Sequence, residues 1–68
     1  IGVNYKKDTV QFLHIARGSL YELETHLCIA VMVEVIPAGK VEQLMANIDE
    51  AIKILNGLIS YYEKSNLQ

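Results

Sequence analysis

The densest run of potentially reactive side chains in this sequence is Glu22-Leu23-Glu24-Thr25-His26. Carboxylates and imidazole are the donors that hold Zn²⁺ or Fe²⁺. On a helix Glu22 and His26 share a face, as do Glu24 and Cys28. A di-iron site in a helical bundle needs Glu and His three apart, and a second matching set. The positions three after these glutamates are Thr25 and Leu27, so a solvated or interface polar stripe is expected there and a metal is not. His14 has no evident acid partner and is expected to be a surface or hydrogen-bonded structural histidine. Ser19, Ser60, Cys28 and the two histidines do not assemble a nucleophile, base and orienting group by spacing, and there is no Gly-rich phosphate loop. Tyr61-Tyr62 suits base stacking only in basic surroundings, which here reduce to Lys64. Core or interface packing is the expectation for that pair. Neither a cofactor nor an enzymatic activity is expected.

The elements that would position these groups must come from 68 residues with a single cysteine. An internal disulfide is impossible, and a reduced, cytoplasmic setting fits. A chain of roughly 60 residues buries only about 60% of its unfolded surface and is marginal alone. Yet 51% of the residues are hydrophobic, which points to partners that cover apolar area. The start at Ile1 reads as that of a fragment. No apolar signal region is visible at the N-terminus. The longest apolar run, Leu27 to Val33, falls short of the roughly 20 residues that span a bilayer, so no membrane partner is expected. The formal charge is −2, and Lys6, Lys7, Arg17, Lys40, Lys53 and Lys64 form no block. A strong polyanion-binding surface is not apparent from the sequence.

Two helices account for the pattern. Ile1 to Asn4 reads as a connection, with Asn4 able to cap a helix and Asp8 suited to its first turn. Leu13, Ala16, Leu20, Leu23, Leu27 and Ala30 recur at three- and four-residue steps, predicting a helix over about 5–33. The β-branched stretch over residues 28–36 resembles a strand, but the helical period runs into it unbroken. Pro37-Ala38-Gly39 punctuates the chain, placing a turn at about 34–39. A second helix is predicted over about 38–64, since Pro is tolerated at a helix start. Val41, Ile48, Leu55 and Tyr62 repeat every seven residues. Leu44, Ala51 and Leu58 fill the companion position, and Met45, Ile52 and Ile59 widen the stripe to a core-facing width. The short connector makes the helices antiparallel neighbours. Gly18 and Gly57 then fall at nearly the same level. Close approach of the two backbones and two unrelated, tolerated glycines both account for them.

Leu27, Cys28, Ile29, Ala30, Val31, Met32 and Val33 are apolar in succession and so surround the first helix. One stripe, at Leu27 and Ala30, can face the second helix. The opposite side, where Val31 is expected to point, needs another cover. Leu27, Cys28, Ile29, Val31, Met32 and Val33, together with Tyr62, are therefore expected at helix–helix or subunit contacts.

The run from Phe12 to Leu27 resembles the signature helix of the four-helix-bundle proteins encoded in intervening sequences of bacterial 23S ribosomal RNA genes. The resemblance is carried by Gly18, Ser19, Leu20, Glu22, Leu23, Glu24, Thr25 and Leu27. Leu55-Asn56-Gly57 resembles the family's last helix. The match covers nearly the whole chain. It implies an all-α antiparallel hairpin that is the C-terminal half of an up-and-down four-helix bundle, a single partial domain over residues 1–68 without the N-terminal helices. It also implies assembly into a homo-oligomeric ring, typically a pentamer. A related branch, accessory to diversity-generating retroelements, binds RNA through a basic surface. Where family members often carry arginines, this chain has Val3 and Asn4. The family's usual Ser cap aligns with Tyr5. A glycine common at the end of the signature helix aligns with Glu34, which bears on the turn geometry.

A non-enzymatic assembly or interaction protein that pairs with itself is the expected function. A nucleic-acid-binding accessory protein is the alternative, with Lys6 and Lys7 as its contacts. A metal-dependent enzyme would rest on Glu22, Glu24 and His26 alone.

Overall fold

A computed structural model describes residues 5 to 64, so the connection at Ile1 to Asn4 and its capping role lie outside the described residues. Two helices, α1 (Tyr5–Met32) and α2 (Ala38–Lys64), fold back on each other. There is no strand among the described residues, and the β-branched stretch simply finishes α1 and enters the turn. Asp8 sits in the first turn of α1 and Lys64 in the last turn of α2, the charge signs that the helix dipole favours.

The turn is closed by backbone geometry. The Val35 N–H donates to the Ala30 carbonyl at 2.9 Å, and the Glu34 N–H donates to Val31 at 3.0 Å. This is the Schellman pattern, which consumes carbonyls left over at a helix end. It requires a left-handed residue, and Glu34 supplies it with φ 62°. The turn geometry thus survives without the glycine. Pro37 then precedes α2, and its carbonyl accepts from the Lys40 N–H at 3.0 Å, opening the helix.

The core among the described residues is Leu13 on α1 with Val41, Ile48, Ile52 and Ile59 on α2. The seam's phase differs from the one predicted in two places. On α2, Val41 and Ile48 are joined by Ile52 and Ile59, whereas Leu44 and Leu58 stay exposed. The positions expected to widen the stripe are its centre, and the expected companions flank it. On α1, Leu23 is 41% exposed, and the half-buried residue beside it is Glu24. Leu13, Leu20, Glu24, Leu27 and Val31 step by seven, four, three and four residues, which is the straighter path along a helix of 3.6 residues per turn. Val31 therefore turns toward α2, not away from it. Gly18 and Gly57 serve no close approach, for a Cβ at either meets nothing within 4 Å.

Candidate functional site

The two helices give the hairpin two broad faces. On one, the Nε group of His14 lies 3.3 Å from Glu63 Oε2, and Arg17 donates to Asn56 Oδ1 at 2.6 Å and approaches His14 Nδ1 at 3.0 Å. Arg17 can only donate, so His14 Nδ1 accepts and Nε2 carries the proton given to Glu63. His14 does have an acid partner, one that lies 49 residues away in sequence. Both ring nitrogens thus have partners. The side chains of His14 and Glu63 are 42% and 55% exposed, beside an open hollow of about 420 Å³ lined by Arg17, Asn56, Ile59, Ser60, Glu63 and Lys64. The cluster ties the open end of the hairpin together.

The Glu22, Glu24 and His26 cluster is dispersed. Glu22 and His26 are exposed, and Glu24 is half-buried at the seam. No group of three His, Cys, Asp or Glu side chains able to hold a metal ion exists among the described residues. Near the turn, Leu27, Cys28, Val31 and Met32 line an open apolar hollow of about 360 Å³ with Val41 and Met45. Four of the expected contact residues thus meet there. Ile29 is exposed elsewhere on α1 and Val33 in the turn that follows it, and half-buried Tyr62 sits at the far end, its ring edge-on to Tyr61 at 5.3 Å.

The opposite broad face is apolar. On α1 the seam is flanked on one side by His14 and Arg17 and on the other by Phe12, Ala16, Leu23 and Ala30. On α2 it is flanked by Asn56 and Glu63 on one side and by Leu44, Ala51 and Leu58 on the other. The contacts from His14 to Glu63 and from Arg17 to Asn56 join the first pair of flanks, so the other pair shares one face. Phe12 is 65% exposed there, Leu44 43% and Leu58 40%, with Ile54 and Tyr61 extending the patch. Hydrophobic spacing drew attention to residues 27–33 instead. The better signal was Leu44, Ile54, Leu58 and Tyr61 at steps of ten, four and three.

Charge is also sorted by the fold. The antiparallel arrangement gathers Lys6, Lys7, Arg17 and Lys64 toward the open end, where Asp8 and Glu63 are the neighbouring acids. No helix among the described residues is long and apolar enough to cross a membrane.

The family model of the 23S rRNA-intervening sequence protein matches residues 1–57. No curated protein and no solved structure matches the chain significantly.

Proposed function

The chain belongs to the 23S rRNA-intervening sequence protein family, and from that premise we propose that it is a non-enzymatic structural subunit, one half of an up-and-down four-helix bundle that forms a homo-oligomer. The observation that carries this reading is the apolar face shared by α1 and α2. Five buried residues among those described are a small core for two helices of roughly 40 Å each, and a lone hairpin of this kind is marginal in water. Each exposed Leu or Ile forgoes about 1.5–3 kcal/mol relative to full burial. Two further antiparallel helices laid on this face would recover much of that. Light scattering on the intact protein tests the reading. A homo-oligomer is expected, with a ring of five as the size that the family resemblance implies. A folded monomer would sink it.

The basic open end favours a second reading, an accessory protein that contacts nucleic acid through Lys6 and Lys7. Phosphate contacts weaken steeply with salt. Filter binding with RNA across a salt series tests this reading. A salt-dependent affinity lost in the Lys6→Ala/Lys7→Ala variant would support it, and binding unaffected by that change would dismiss it.

A further inference from the structure

We infer that Cys28, Met32 and Met45 form a binding site for a soft monovalent metal ion, Cu(I).

The chain contains one cysteine and two methionines, and all three line the apolar hollow of about 360 Å³ beside the turn. Cys28 and Met32 are four apart on α1 and so share one face of it. Met45 reaches the hollow from α2. The three sulfurs therefore come from both helices, across a turn that the hydrogen bonds from Val35 to Ala30 and from Glu34 to Val31 hold closed. The remaining lining is Leu27, Val31, Ala38 and Val41. No lining side chain offers nitrogen or oxygen.

Donor chemistry selects the metal. Thiolate and thioether are soft ligands and favour Cu(I), whereas Mg²⁺, Ca²⁺ and Mn²⁺ prefer oxygen. Zn²⁺ takes thiolate, imidazole or carboxylate donors, and only Cys28 here is one. A thiolate with Cu(I) is a neutral pair. Holding it against Leu27, Val31 and Val41 costs less than holding a divalent ion on the same donors. Binding breaks the Cys28 S–H bond, whose electron pair forms the Cu–S bond while the proton leaves to water. Each methionine donates a lone pair and stays neutral. The copper remains Cu(I) throughout.

Exposure separates this reading from gap filling. A methionine that fills irregular space belongs in a core. Met32 is 78% exposed and Cys28 is exposed as well, while Val41 beneath them is buried. Sulfur is thus open to an incoming ion above an apolar floor. Met32 follows His14 by five helical turns, and Met45 precedes Glu63 by five, at 3.6 residues per turn. The hollow therefore lies on the broad face of the His14–Glu63 contact. Helices laid on the opposite, apolar face leave it open.

Chelator competition with the intact protein tests the site, under anaerobic, reducing conditions with bicinchoninate as the competitor for Cu(I). One copper retained per chain is expected, undisturbed by equimolar Zn²⁺. Met32→Leu and Met45→Leu keep volume and apolar character. Each should weaken retention about tenfold or more, since even outer-shell partners are worth about 10–100-fold in metal affinity. Cys28→Ser should abolish it. X-ray absorption at the copper edge should show a shell of three sulfurs. Copper held equally well by both leucine variants would mean that the thiol acts without the methionines, and would overturn the site. A copper shared between two chains, nitrogen or oxygen in the shell, or no retention against the chelator would overturn it as well.

Discussion

Glu34 occupies a position that favours glycine. Its φ of 62° crowds the Cβ of an L-residue against the backbone, at roughly 1–2 kcal/mol, and the two turn hydrogen bonds hold it there. Glu34→Gly should therefore raise stability by about 0.5–1 kcal/mol, less than the full strain because glycine has more unfolded-state freedom to lose. Urea unfolding measures it, and an unchanged or lower midpoint would show that the strain is relieved elsewhere. The His14–Glu63 contact is a different case. Both side chains are well exposed, and such pairs contribute about 0–1 kcal/mol. His14→Ala should shift the same midpoint only slightly, and a loss above roughly 2 kcal/mol would show that the cluster is more than a surface tie. The left-handed turn residue was not legible in the residue types, because glutamate seldom takes that conformation; its one signal was the family's glycine aligning with Glu34. The acid partner of His14 was not legible either, since local spacing says nothing about a residue on the returning helix.

At the scale of the helices, the periodicity of the sequence located both elements and the turn to within a residue or two. What it left undetermined was rotation. A stripe of apolar residues three sevenths wide contains more than one seam, and the choice between them depends on the neighbouring helix. Glu24 shows the consequence. A carboxylate beside Leu23 reads as the outer position, yet the path through Leu13, Leu20, Leu27 and Val31 carries it inward. Gly18 and Gly57 follow the same logic, for the rotation that exposes them also removes any packing reason for a glycine. Gly57→Ala should stabilise the chain by about 1 kcal/mol, and Gly18→Ala by a similar amount, since each lies inside a helix and the added methyl meets only open space. Thermal unfolding of the two variants is the measurement. A loss of stability at either position would mean that another surface approaches it in the assembled state.

For the molecule as a whole, the imbalance between apolar content and the area two helices can cover is legible in the composition. An apolar fraction of 51% in 68 residues cannot be hidden inside a hairpin. Composition does not reveal which face is left over, because that depends on how the hairpin closes. Val31 illustrates the difference: a charge placed there tests the hairpin seam, whereas one at Leu58 or Leu44 tests the outer face. If a partner copy supplies the missing cover, folding and association are one equilibrium, and stability must rise with protein concentration. The midpoint of thermal unfolding should therefore climb by several degrees over a hundredfold increase in concentration. Mass action sets the scale, for a hundredfold change at one coupled site is worth about 2.7 kcal/mol. A chain of this size gains roughly 4–8 °C for each kcal/mol, and a shared burden between two subunits halves the effect per protomer. Calorimetry at two concentrations reads this directly. A midpoint that stays fixed across that range, with a sharp single transition, would mean that no second copy covers the apolar face.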